Sequence, residues 1–167
     1  DELYLSKPLE IVTNTRYWGT VPGDEEEKFK PFLKSFELVF RSIVGKKGDS
    51  YIDTAIANDD IEFLPLELMR GATLKNCICW FDEAQNLNNH EVETLGSRID
   101  DEGNSKLILS GDLNQIDKRM EKNDTGIMKL VHSSHFLESK HTAHVDLIQN
   151  ERGEISQLFN DIFNENK

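Results

Sequence analysis

Residues 77–85 read Cys77-Ile78-Cys79-Trp80-Phe81-Asp82-Glu83-Ala84-Gln85, an apolar run that ends on two adjacent carboxylates. With Leu74 leading into it, the segment reads as a strand buried on both faces. Such a run suits a parallel sheet covered by helices on either side. In open α/β sheets, ligands bind outside the carboxyl ends of the strands. The pair Asp82-Glu83 stands at such an end. Cys77 and Cys79, the two cysteines of the chain, lie two apart and share a face. Near neighbours on a strand cannot close an unstrained disulfide, and free core thiols suit a reducing compartment.

Downstream, Asn88 with Glu91 three residues on forms a capping box for a helix to about Ile99. Asp100 to Asn104 closes that helix. Lys106 to Ser110 is the next strand, and Gly111-Asp112 turns out of it. Residues 117–124 form a polar loop and Thr125 to Val131 a short helix. Ala143 to Ile148 reads as the last strand, followed by a helix from Gly153 to Phe163. Upstream, Leu9 to Thr13 reads as a strand and Pro22-Gly23-Asp24 as a turn. Asp24 caps a helix whose first turn holds Glu25, Glu26 and Glu27, where the dipole favours anions. Pro31 opens a second helical piece carrying Phe32, Phe36, Val39 and Phe40 at helical spacing, ended by Gly45. A short helix from Asp49 or Ser50 to Ala57 and a strand from Ile61 to Leu64 follow. Strands alternating with helices predict a single α/β domain over residues 1–167, with a mostly parallel sheet flanked by helices.

Nineteen basic against 31 acidic residues give a net charge of −12 and a pI of 4.8. Such a field repels phosphate backbones, so any nucleic-acid contact must be local and salt-sensitive. No apolar stretch is long enough to span a membrane, and no signal peptide is expected. The chain starts at Asp1 without a methionine, which reads as a fragment, a processed product or a trimmed chain.

An apolar strand ending in Asp-Glu has the form of a Walker B motif. There Asp82 would hold Mg2+ through water and Glu83 would activate the attacking water of ATP hydrolysis. The plain alternative is a strand that ends in a solvated acidic turn. A second strand end shifts the balance. Gly111-Asp112-Leu113-Asn114-Gln115 would stand at the same sheet edge, and Gln115 can hydrogen-bond a water and a γ-phosphate oxygen. Arg152, after the last expected strand, could reach a transition-state phosphate or simply pair with Glu151 or Glu154. The histidines 132, 135, 141 and 144 flank a loop, and Cys-x-Cys on a buried strand is poor zinc-ligand spacing.

The segment Phe63 to Asp117 resembles the PhoH family of P-loop ATPases. The resembling strings are Pro65-Leu66-Glu67-Leu68-Met69-Arg70-Gly71-Ala72-Thr73-Leu74, then Asp82-Glu83-Ala84-Gln85-Asn86, then Gly111-Asp112 with Gln115-Ile116-Asp117. Thr15-Arg16 and Val21-Pro22-Gly23-Asp24 with Glu27-Lys28 and Pro31 are also similar. The resemblance covers about residues 8–163. It implies a RecA-like P-loop NTPase core related to superfamily-one helicases, with ATP and Mg2+ as cofactors. It implies Asp82 and Glu83 as Walker B and Gln115 as the glutamine coupling hydrolysis to movement, and Arg152 resembles the arginine near the family's C-terminus. Arg16, Arg70 and Arg98 are implied contacts to nucleotide, RNA, single-stranded DNA or a neighbouring subunit in a ring. The family is linked to phosphate starvation and occurs in bacteriophages, which implies the cytoplasm of a bacterial or phage-infected cell.

One part of the family pattern is missing. No Gly-x-x-x-x-Gly-Lys-Ser/Thr string occurs in the 167 residues. Gly45-Lys46-Lys47-Gly48 has the wrong spacing and position. In the family the phosphate loop precedes the strand matched to Leu9–Thr13, and the arginine-proline after that strand is matched by Arg16-Tyr17. An N-terminally truncated core is therefore expected, and the chain alone should bind ATP weakly. Two function classes follow: an ATPase whose activity needs the longer protein, or a binding or regulatory module that keeps the fold without the loop.

Overall fold

The computed structural model describes residues 2–8, 25–45, 49–100, 103–116, 124–148 and 153–164. It divides into two compact units, Asp1–Ser133 and Ser134–Lys167.

The first unit is built on four parallel strands. They are β1 (Glu2–Ser6), β2 (Ile61–Phe63), β3 (Cys77–Phe81) and β4 (Lys106–Leu109), in spatial order β2-β1-β3-β4. Leu5 pairs with Phe63 and with Trp80, and Phe81 with Leu109, so all four strands end at one edge. This bears out the expected α/β fold with a mostly parallel sheet. The first strand stands earlier than expected. β1 ends at Ser6, and Leu9–Thr13 lies outside the described residues.

Between the strands run α1 (Glu25–Val44), α2 (Asp49–Ala57), α3 (Leu66–Met69) and α4 (Asn89–Gly96), and α5 (Gly126–Val131) follows β4. α1 is one helix through Pro31 rather than two pieces. A proline inside a helix loses a backbone bond and costs about 3 kcal/mol. Packing further along offsets this: Phe36 is buried, and Phe36 and Phe40 meet Trp80 edge-to-face at 5.5 and 6.4 Å. Gly45 ends α1 in a left-handed conformation, φ +67°, which only glycine adopts freely.

The period-2 alternation of the strands sorts side chains onto two faces. One face joins Cys77, Cys79 and Phe81 to Met69, Leu87, Val92 and Leu95, with Tyr4, Leu107 and Leu109 packed alongside. The other joins Leu5 and Phe63 to Phe36, with Leu3, Ile61 and Trp80. Fully burying a side chain such as Phe81 or Leu5 contributes about 1.5–3 kcal/mol. β3 is not buried on both faces as expected. Ile78 stays 40% exposed, because the α1 aromatics reach Trp80 but leave Ile78 open.

The Asn88 capping box forms as the sequence indicates. Its side chain accepts from the Glu91 N–H at 3.0 Å, and Glu91 accepts from the Asn88 N–H at 2.9 Å. Thr125 caps α5 by a single bond, its Oγ1 accepting from the Met128 N–H at 3.3 Å.

The second unit holds α6 (Ser134–Glu138) and α7 (Glu154–Asn164). The expected strand Ala143–Ile148 does not form: residues 142–148 have no strand pairing. Their alternation supplies a suitable pattern, but a strand also needs a neighbour for its backbone groups.

Candidate active site

At the carboxyl edge of the parallel sheet the ends of β1, β3 and β4 are joined by backbone bonds. The Asp82 N–H donates to Ser6 O at 2.8 Å, the Ser110 N–H to Phe81 O at 3.0 Å, and the Ala84 N–H to Ser110 O at 2.9 Å. These bonds continue the ladder past the last strand residues. They fix the backbone of Asp82 between the ends of β1 and β4.

The Asp82 side chain is fixed as well. Ser110 Oγ donates to Asp82 Oδ1 at 2.7 Å, and Trp80 Nε1 donates to Ser110 Oγ at 2.7 Å. Glu83 follows in a left-handed conformation, φ 54° and ψ 32°. A residue with a Cβ pays about 1–3 kcal/mol there. The kink starts a single 3-10 turn, Ala84–Asn86, which swings the chain off the sheet and into α4.

Gln85 is fully buried and spans the gap between the two strand-end loops. Its Nε2 donates to Glu83 Oε2 at 2.7 Å and, more weakly, to Gln115 O at 3.4 Å. Its Oε1 accepts from the Asp112 N–H at 3.2 Å. The loop packs so closely that a Cβ on Gly111 would stand 2.4 Å from Gln85 Oε1. Within the loop, Asp112 accepts from the Asn114 N–H and from Gln115 Nε2, both at 2.8 Å.

Asp82, Glu83 and Gln115 therefore come together at the carboxyl edge, with Gln85 joining the last two. Of the expected arginines, the two among the described residues, Arg70 and Arg98, do not join them. Arg98 follows α4, where the Leu74 N–H donates to Arg98 O and Leu74 bridges Ile99 ahead of β3. That is the opposite edge from Asp82, about one strand length of 17 Å away. Arg70 is exposed at the end of α3, in the crossover returning from the carboxyl edge to Leu74. Arg16 and Arg152 lie outside the described residues.

Sequence reasoning missed Gln85, Ser110 and Trp80 as members of the site. Gln85 lies inside the Asp-Glu-Ala-Gln-Asn string, two residues past Glu83, where a polar residue about to be buried was legible. Ser110 is the residue before Gly111-Asp112, the only hydroxyl at that strand end. Trp80 gave no signal beyond its place on an apolar strand.

Asp82 is the strand-end carboxylate that could hold a lightly coordinated Mg2+. Among the described residues no three His, Cys, Asp or Glu side chains cluster as a metal cage. Mg2+ needs no such cage: one or two carboxylates with waters and substrate phosphates are its usual setting. Asp82 supplies one carboxylate with a fixed orientation. Below the edge, burial raises both cysteine thiols and pushes Cys79 up to about 12, so these thiols stay protonated core groups rather than ligands.

Polar side chains gathered at the carboxyl edge of a parallel sheet, beside a strand-end Asp-Glu pair, mark the ligand edge of an open α/β protein. Residues 2–164 match the family model described as PhoH-like protein, and the chain belongs to the PhoH family. It is 31% identical to Protein PhoH2 of Bacillus subtilis over 163 residues, covering 96% of this chain and 36% of that protein. Against Protein PhoH2 of Mycolicibacterium smegmatis identity is 29% over 149 residues, 88% of this chain and 32% of that protein. Against Protein PhoH of Escherichia coli K12 it is 32% over 119 residues, 70% of this chain and 32% of that protein. The chain thus spans about a third of the length of these relatives. Among the described residues, no helix is long and apolar enough to cross a membrane.

Proposed function

We propose that this chain forms the magnesium- and water-handling half of an ATP-hydrolysing site, acting in the longer protein. The observation that carries this reading is the joined strand-end cluster: Asp82 oriented by Ser110, with Glu83 and the Gln115 loop tied through buried Gln85.

Asp82 would hold Mg2+, directly or through water. The metal would neutralise charge on the β- and γ-phosphates. Glu83 would accept the proton of the attacking water. Its carboxylate is exposed, and one oxygen is steadied by the Gln85 amide. Gln115 would position the water or a γ-phosphate oxygen once its amide leaves Asp112 Oδ2. Phosphate binding needs a backbone nest, a lysine and a hydroxyl that no Gly-x-x-x-x-Gly-Lys-Ser/Thr string supplies here, so in this reading another segment of the longer protein would hold the phosphates.

Arg98, at the far edge, cannot serve its own Asp82. It would act in trans, from one subunit of a ring to the next. Arg152 stays a candidate phosphate contact, and Arg16 and Arg70 candidates for contacts to RNA or single-stranded DNA. The second reading, a binding or regulatory module, draws on the missing phosphate-loop string. Assays of ATP binding and ATP turnover by the full-length gene product separate the two. Binding with Glu83-dependent turnover supports the ATPase; neither binding nor turnover supports the module.

A further inference from the structure

Trp80 is the residue on β3 that touches both the helix above the sheet and the carboxylate chemistry at its edge. Its ring lies edge-to-face with Phe36 and Phe40 of α1, at interplanar angles of 74° and 77°. Its Nε1 meets Ser110 Oγ at 2.7 Å, and Ser110 Oγ meets Asp82 Oδ1 at 2.7 Å.

The direction of this relay is fixed by donor inventory. An indole N–H can only donate, so Ser110 Oγ must accept from it. The hydroxyl has one proton, and an ionised carboxylate can only accept, so that proton goes to Asp82 Oδ1. Charge-assisted hydrogen bonds of this kind are about twice as strong as neutral ones. The second carboxylate oxygen, Oδ2, receives no hydrogen bond from the described residues. Ser110 thus pins one oxygen, and Oδ2 is the oxygen this reading offers to the cation.

We propose that Trp80 and Ser110 are positioning residues for Asp82: the indole orients the serine hydroxyl, the hydroxyl fixes the carboxylate in its cation-facing orientation, and the ring ties that orientation to α1. This rests on the reading of Asp82 as the magnesium-side carboxylate. Neither the Asp-Glu pair nor the Gly111–Gln115 loop uses Trp80, and the relay adds a mechanical link from the site to a helix on the sheet face.

The test uses the full-length protein with 15N-labelled tryptophan, the Trp80 indole signal being assigned by its loss in Trp80→Phe. Mn2+ serves as the probe, with free Mn2+ read by electron paramagnetic resonance. Partners that orient a ligating side chain are typically worth about 10–100-fold in metal affinity. The expected result is a loss of that order in Ser110→Ala and in Trp80→Phe, with Ser110→Thr restoring affinity because it restores the hydroxyl. Without metal, Asp82→Asn and Ser110→Ala should each shift the Trp80 indole N–H signal, a change that loss of general stability does not mimic.

Three results would overturn the proposal. If Asp82→Asn weakens Mn2+ binding while Ser110→Ala and Trp80→Phe do not, the relay is wrong and the site reading stands. An indole signal unmoved by both Asp82→Asn and Ser110→Ala also removes the relay. If Asp82→Asn leaves Mn2+ affinity unchanged, the metal assignment fails and the proposal fails with it.

Discussion

Replacing Gly111 with alanine probes the bridge between the two strand-end loops through a single added methyl group. The new Cβ would stand 2.4 Å from Gln85 Oε1, 3.0 Å from the Gln85 backbone N and 3.3 Å from the Ala84 backbone N. The amide cannot simply swing aside, because its far end is buried and bonded to Glu83 and to the Asp112 N–H. Forcing a methyl into a packed site costs about 1–3 kcal/mol. Losing the Asp112 bond adds about 1 kcal/mol. The total, about 2–4 kcal/mol, lowers the melting temperature by about 5–15 °C in a domain of this size, at about 2–4 °C per kcal/mol. Thermal unfolding followed by circular dichroism measures it. The same substitution in a Gln85→Ala background meets only the two backbone nitrogens. It should cost less by about 1–2 kcal/mol, the coupling expected of residues in contact. A Gly111→Ala protein that melts with the wild type would refute the bridge. So would an equal cost in both backgrounds.

Further outcomes concern the core and the helix caps. Asn88→Ala and Thr125→Ala each remove an N-cap and should each cost about 1 kcal/mol in thermal unfolding; unchanged melting in both would contradict the caps. At alkaline pH the fold should lose stability. Burial holds the Cys79 thiol up to about 12 from an ordinary 9.0, and the bond to Glu2, with burial, raises the Tyr4 phenol above its ordinary 10.0. Both groups keep their protons longer folded than unfolded. Their contribution is therefore full below about pH 9 and is lost as pH climbs toward 12. Urea unfolding across that window should show a steady fall, shallower in Tyr4→Phe; a flat profile in the wild type would contradict the assignment. Cys77 and Cys79 should react with a thiol reagent at pH 8 only after unfolding, and rapid native labelling would show that β3 is not packed as described.

The parts of the fold legible in the sequence were those whose signals are local. The Asn88–Glu91 box, the short helix at Thr125–Val131 and the Lys106–Ser110 strand need only neighbours within a turn or a ladder. The misreadings arose where partners are distant. Glu2–Ser6 is a strand because β2 and β3 flank it, and its polar ends hid its central place in the sheet. Ala143–Ile148 alternates as a strand does but pairs with no strand among the described residues. Pro31 looked like a helix boundary until the packing of Phe36 and Phe40 on Trp80 outweighed it. At the site, Asp82, Glu83 and Gln115 could be named because strand ends announce themselves. Gln85, Ser110 and Trp80 went unnamed: the strings around Gln85 and Ser110 offered a local hint, but their roles are hydrogen bonds reaching 27 to 30 residues along the chain.

The central claim is that the strand-end carboxylates serve ATP hydrolysis. Its most direct measurement is steady-state ATP turnover by the full-length gene product with Mg2+, comparing wild type with Glu83→Gln. Removing a catalytic base should slow turnover by about 10²–10⁴-fold while ATP binding is kept. Turnover in Glu83→Gln equal to the wild type would contradict the assignment.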